Sequence, residues 1–290
     1  MSKLLLNQLA GTNMAYNRFS FDYFLDSMQR LGIRNIELYG CSTHLHPYDG
    51  GDPIPLVRKK LRDAGLRVVS MMPEQNVYPV NLAAAEKAVR EHTVEVYKWF
   101  IQAAAELGAR QMLLCPGRPY RDRPLSEGYK YSIDSVLRLL DTARDAGVVL
   151  CYETLRIGES TLTANLRDTC RVVEELNDPY LACCVDTVPV YCAGERTEDY
   201  FAALGKKIHH FHLNDGAPDG HLIWGDGTQN LDEHLNALRK HGYSRYITME
   251  MAAAKYKADP EPYYRRNIEV LKAHFDGGTL DCSDGWEVAE

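Results

Sequence analysis

The chain has 290 residues, 45% of them apolar, and a formal net charge of -7. That is enough apolar material for one substantial core or two small domains. The acidic balance, with Lys and Arg scattered along the chain, excludes nucleic acid as the working partner, because a basic face is needed to neutralise phosphates. Eight cysteines form no CxxC pair, and their spacing in a chain this long argues against a disulfide framework. The opening MSKLLLNQLAG is too short an apolar run for a signal peptide, and no later run approaches a membrane span, so a reducing, cytoplasmic setting without a membrane partner is expected.

In chain order, residues 3–8 read as an opening strand. A helical pattern over 21–31 stops at Gly32 before the strand NIELYG. A helix over 55–64 stops at Gly65 before VVSMM. A long helix over 84–107 stops at Gly108 before QMLLC, with Val94, Tyr97, Ile101 and Ala104 as its buried stripe. A helix over 133–146 stops at Gly147 before VVLCYE. The helix over 166–176 ends on Asn177 with Pro179 beyond, the next-best stop signal, before LACCVDT. A helix over 198–204 stops at Gly205 before IHHFHL, and one over 231–241 at Gly242 before YITME. A helix over 261–275 closes the series. Glycine past a helix end takes the left-handed conformation without a Cβ clash, which is why it punctuates so many of these junctions.

Strands alternating with helices call for an α/β fold with a parallel sheet. Eight such units predict a closed (β/α)8 TIM barrel, one domain over residues 1–275. A doubly wound open sheet needs a Gly-rich first turn, which is missing. The tail, 276–290, is polar and Gly-containing, and is expected to be loose or docked on the barrel or a partner subunit.

The C-terminal ends of barrel strands form the functional face. Four successive predicted strands offer Glu153, Asp186, His212 and Glu250 there. Alternation along a strand puts Cys151 with Glu153, Cys184 with Asp186, His210 with His212 and Thr248 with Glu250 on shared faces. If the last of each pair points inward, one imidazole and three carboxylates converge on a hard, oxygen-rich divalent-metal site, suited to Mn²⁺, Co²⁺ or Mg²⁺. Taken singly, Glu153 or Glu250 reads as a salt-bridged rim group, His212 as a core histidine and Asp186 as a helix N-cap. It is their joint placement that points to a metal.

The segments ETLRIGES at 153–160, VDTVP at 185–189, HFHLND at 210–215 and TMEM at 248–251 resemble the sugar isomerase and epimerase superfamily of xylose isomerase-like barrels. Within it the resemblance is to the ketose 3-epimerases, the fructoselysine-type subgroup above all, with PEQNVYP at 73–79 and NIELYG at 35–40 in support. The resemblance implies that Glu153, Asp186, His212 and Glu250 are metal ligands and that Glu153 and Glu250 are also the acid/base pair. It implies inversion at C3 of a ketose through a metal-stabilised cis-enediolate. Glu159 matches a polar residue that contacts the sugar. Two positions depart from the tagatose/psicose pattern: Pro189 stands where a His is expected and Pro218 where an Arg is expected. His221 is a candidate replacement contact, or else an exposed loop histidine, and Tyr39 and Trp224 are candidates for packing on the sugar's apolar face, or else ordinary core residues. The loop 72–81 suits a shaped wall for a substrate tail. The resemblance also implies a small-molecule sugar or sugar derivative as partner and a homo-oligomer, dimer or tetramer. Inosose dehydratase or hydroxypyruvate isomerase chemistry on the same metal site, and a non-catalytic sugar-binding barrel, are the competing readings. A related apurinic-site endonuclease needs more His ligands and a basic face.

Overall fold

In a computed structural model, residues 2–41, 43–47, 51–74 and 79–280 are described. Eight strands close into a parallel barrel in sequential order, β1 back to β8. They are β1 (Leu9–Thr12), β2 (Asn35–Tyr39), β3 (Arg67–Met72), β4 (Gln111–Leu114), β5 (Val149–Glu153), β6 (Leu181–Asp186), β7 (Ile208–His212) and β8 (Ile247–Thr248). Around them run α1 (Phe21–Leu31), α2 (Ile54–Asp63), α3 (Lys87–Glu106), α4 (Leu125–Ala146), α5 (Leu166–Leu176), α6 (Thr187–Cys192), α7 (Thr197–Leu204), α8 (Leu231–Lys240) and α9 (Pro260–Lys272). The expected TIM barrel is therefore the fold.

Three elements differ from expectation for physical reasons. The apolar run at 3–8 does not form the first strand. Leu6–Gln8 is a 3-10 turn, held by Gln8, whose side-chain Oε1 accepts from the Leu5 N–H at 2.8 Å. The strand begins at Leu9 instead. α4 starts at Leu125, eight residues before the expected 133, because Pro124 pre-sets its entry and Ser132 and Ser135 bury their hydroxyls on Pro116 and Leu82 carbonyls. α6 is a short extra helix that continues directly from β6, capped by Asp186, whose Oδ1 accepts from the Val188 N–H at 2.8 Å.

The helix stops follow the glycine signals. Gly32, Gly65, Gly108, Gly147 and Gly242 all have positive φ, and Asn177 substitutes at φ 38°. Most of the apolar core lies between the strands and the helices, with Phe100, Tyr152, Phe211 and Tyr264 fully enclosed. Inside the barrel a small layer of Met72, Leu113, Cys151, Ala182 and Cys184 forms the floor beneath the C-terminal mouth. At the other end, Asp276 accepts from the Leu4 N–H at 2.9 Å and from Arg239 at 2.8 Å, and Leu280 is buried, so 276–280 pack on the barrel; the rest of the tail, 281–290, lies outside the described residues.

Register sets the mouth. Glu153 on β5 lies beside Cys184, Asp186 on β6 beside His212, and His212 on β7 beside Thr248. From Glu153 to Asp186 the chain steps up by two residues, to His212 by none, and to Glu250 by two. Even steps keep every side chain on the interior face, and strand tilt in a sheared barrel brings staggered residues to a common height. Among the described residues no helix is long and apolar enough to cross a membrane, and the described cysteines are free thiols.

Candidate metal centre

Glu153, Asp186, His212 and Glu250 come together at the mouth, all buried, each offering one ligand atom within 4.8 Å of the others. His212 is at the centre: its Nδ1 lies 3.2 Å from Glu153, 3.1 Å from Glu250 and 3.8 Å from Asp186. Both His212 Nδ1 and Glu250 Oε2 are sealed from solvent without a hydrogen-bond partner. Buried polar atoms left without partners are costly, and a lone pair waiting on a cation is one explanation. One imidazole and three carboxylates suit a hard divalent ion, so the donor set fits such an ion.

A carboxylate outside this quartet orients it. Glu37, in the middle of β2 and fully buried, faces both His212 Nε2 at 2.9 Å and His210 Nε2 at 3.1 Å. Donation from Nε2 to Glu37 leaves Nδ1 of His212 as the free lone pair, turned toward the three mouth carboxylates. His210 is held in turn by Gln111 at 2.7 Å and Thr248 at 2.9 Å. Burial works against the Glu37 charge, but His210 and His212 hold its carboxyl well below the usual range. Glu37, His210 and His212 also cluster closely, but their nitrogens are already engaged, His212 Nε2 by Glu37 at 2.9 Å and both nitrogens of His210 by Gln111 and Thr248.

Electrostatics separate the mouth carboxylates. Burial pushes Glu153 up to about 7, against the pull of His212. Asp186 goes the other way: burial opposes its charge, but His221 and His212 hold it well below its ordinary value. Burial pulls His212 down, and Cys184, Glu37, Glu250 and Asp186 more than reverse it. Cys115 sits beside Glu153, with Sγ 3.7 Å from Oε2.

The other expected residues divide. His221, on the loop after β7, reaches the centre, its Nε2 2.9 Å from Asp186 and 3.3 Å from Glu250. Burial lowers its pKa, but Glu250 and Asp186 raise it to about 9. Tyr39, Glu159 and His221 line a cleft of about 130 Å³ together with Glu153 and Glu250. Glu159 is ion-paired with Arg156, which also reaches Asp219 across the mouth. Trp224 is elsewhere. It is buried in the core, its Nε1 donating to the Leu213 carbonyl at 3.3 Å and its ring 5.8 Å from His234. The cause is Asp215, whose carboxylate collects the N–H groups of Gly225, Gly227 and Gln229 and folds the loop back, turning Trp224 inward. Of the loop 72–81, residues 75–78 lie outside the described residues; Pro73 lines the cleft, and Pro79, Val80 and Asn81 line a neighbouring cavity.

Glu37, Arg118 and Arg156 are missing from the sequence reading. For Glu37 a signal existed: alternation in N-I-E-L-Y puts it on the same face as Asn35 and Tyr39, and a carboxylate in a barrel interior must be paired.

A profile of xylose isomerase-like TIM barrels matches residues 25–274. Fructoselysine 3-epimerase of Shigella flexneri is 26% identical over 263 residues, covering 89% of this chain and 94% of that protein. Inosose isomerase of Bacillus subtilis strain 168 is 27% identical over 180 residues, 59% of this chain and 64% of that protein. Among solved structures, an L-ribulose 3-epimerase superposes with a TM-score of 0.78 at 18% identity over 94% of each chain, a likeness of fold.

Proposed function

This chain belongs to the xylose isomerase-like TIM-barrel family, and from that premise we propose that it is a divalent-metal-dependent ketose 3-epimerase. The observation that carries the reading is the presence of two carboxylates, Glu153 and Glu250, at 3.2 and 3.1 Å from His212 Nδ1. The near-full-length similarity to fructoselysine 3-epimerase supports the reaction class.

Glu153, Asp186, His212 and Glu250 would hold the cation, for which Mn²⁺, Co²⁺ and Mg²⁺ are the candidates. When bound, it supplies Lewis-acid polarisation of the ketose carbonyl and stabilises the charge left when the C3 proton departs. The chain's own groups do the rest. One of Glu153 and Glu250 takes the proton from C3 on one face, and the other delivers a proton to the opposite face, which inverts the centre. Glu37 keeps the His212 ring aimed. Tyr39, Glu159 and His221 form the sugar-facing wall, with His221 where Pro189 and Pro218 offer no polar group. Leu155 and Met14 restrict water at the mouth.

Incubation of the Mn²⁺-loaded protein with a panel of ketoses in D₂O tests the reading. Deuterium at C3 with inversion supports it. Label at C1 or loss of water overturns it in favour of the runner-up, an inosose-type reaction, which the partial similarity to inosose isomerase favours. A cytoplasmic homo-oligomer, dimer or tetramer, completes the proposal, and light scattering on the purified chain checks its size.

A further inference from the structure

The cleft at the carboxylates is small, about 130 Å³. A second cavity of about 470 Å³ adjoins it, lined by Val80, Asn81, Glu86, Val89 and Tyr120. Arg118 lines both. Among the described residues it is the one arginine or lysine lining either cavity.

Arg118 is built into place although its side chain is exposed. Its backbone N–H donates to Asn81 Oδ1 at 2.7 Å, and its carbonyl accepts from Asn81 Nδ2 at 2.9 Å. Its Nε donates to the Glu159 carbonyl at 3.1 Å. Gly117, just before it, has φ +90°, and a Cβ there would lie 2.5 Å from the Ala83 nitrogen, so the loops after β3 and β4 press together at this point. Ser160 ties the loop after β5 to the same spot, its hydroxyl donating to the Gly117 carbonyl at 2.7 Å. Three loops thus fix the backbone at Arg118, and the Glu159 carbonyl aims its guanidinium. With Nε engaged, its two terminal nitrogens have no carboxylate partner among the described residues. A planar fork with two free N–H₂ groups is matched by a carboxylate or a phosphate. Across the outer cavity Glu86 is the one carboxylate in the lining, held by the Tyr120 hydroxyl at 2.6 Å.

We propose that the outer cavity is the site for an anionic appendage on the ketose, clasped by Arg118, so that the substrate is a charged, tailed ketose and not a free sugar. The proposal rests on the epimerase reading for the sugar end. Two sources supply the anion: an amino-acid carboxylate, whose ammonium Glu86 would then take, or a phosphate.

The test compares fructose, fructose linked through C1 to the side-chain nitrogen of lysine, the same sugar linked to butylamine, and fructose 6-phosphate, with the wild type, Arg118→Ala and Glu86→Gln. The expected result is a kcat/KM for one anionic substrate above that for fructose, with this ratio falling about ten- to hundred-fold in Arg118→Ala, the scale of one charge-assisted bidentate contact. Loss confined to the lysine adduct, accompanied by a smaller loss in Glu86→Gln, identifies the amino acid; loss confined to the phosphate identifies the phosphate. A ratio unchanged within two-fold in Arg118→Ala, or a butylamine adduct as good as the lysine adduct with no preference for phosphate, overturns the proposal. If no ketose turns over, the reaction assignment fails separately, and calorimetric binding of the lysine adduct and the phosphate to wild type and Arg118→Ala still decides the role of Arg118.

Discussion

Replacing Glu37 by Gln leaves the shape of the barrel interior nearly untouched and removes one charge. Glu37 Oε2 accepts from His212 Nε2 at 2.9 Å, while Oε1 lies 3.1 Å from His210 Nε2, whose bond goes to the Thr248 hydroxyl. The amide keeps one acceptor and presents an NH₂ to the other ring. With the amide oxygen toward His212, the NH₂ meets the His210 Nε2–H, two buried donors set against each other at a cost of about 1–3 kcal/mol, and the bond to His212 loses its charge assistance, a further ~1 kcal/mol. The metal-free variant is therefore expected to unfold in urea with about 2–4 kcal/mol less stability than the wild type. Metal binding is the second readout. With the charge gone and the amide able to turn either its oxygen or its NH₂ to His212, the proton is held less firmly on Nε2 and the lone pair less firmly at Nδ1. Loss of such an outer partner lowers metal affinity about 10- to 100-fold. Competition against a fluorescent chelator, with Mn²⁺ as the probe, measures this directly and without turnover. A folded Glu37→Gln protein that binds Mn²⁺ within two-fold of the wild type would refute the claim that Glu37 aims His212.

Glu153→Gln and Glu250→Gln should each lower kcat for epimerisation by about 10²- to 10⁴-fold, the usual worth of a positioned acid or base; a loss below ten-fold in either, measured by C3 deuterium incorporation, removes that residue from the proton path. Chelation should lower the unfolding midpoint, because an ion bound only by the folded state adds about 2.7 kcal/mol at a hundred times its Kd; identical melting with and without chelator argues against a tight site. Burial pushes the His234 pKa down to about 4, so the unfolded chain takes up a proton between the ordinary histidine value and 4 that the folded chain declines. Stability from this residue is present above pH 6.5 and is lost as the pH falls toward 4, by up to about 3 kcal/mol; urea midpoints of His234→Gln should show a shallower acid loss than the wild type, and equal slopes sink the assignment. Gly117→Ala should cost about 1–3 kcal/mol, since its φ of +90° disfavours a side chain and its Cβ would press on Ala83; a thermal melt matching the wild type contradicts that geometry.

The barrel was legible because its punctuation is local. Glycine at helix ends and apolar runs at strands are both read within a few residues, and Gly32, Gly65, Gly108 and Gly147 carry the positive φ their positions required. The opening strand was misplaced because LLLNQL at 4–9 has a strand's apolarity, while the real β1, LAGT, owes its pairing to its two neighbours and not to its composition. The four mouth residues could be proposed together because strand ends are shared landmarks. Glu37 could not be tied to His212, since a contact spanning 175 positions leaves no mark in either segment alone. Trp224 was left between a sugar contact and the core for a similar reason: Asp215 decides where its loop turns, through hydrogen bonds to backbone that sequence does not display.

The buried link between β2 and β7 divides responsibility for the centre unevenly along the chain. All four donors come from the second half of the polypeptide, while the acceptor that steadies the imidazole arrives from the first quarter. A half-barrel carrying β5 to β8 would own every donor atom yet have nothing to stop the His212 ring from swivelling. If the proposed ion binds there, assembly of its seat awaits closure of the ring by the earliest strands, which would make the N-terminal portion a condition of metal capture while lending no ligand of its own.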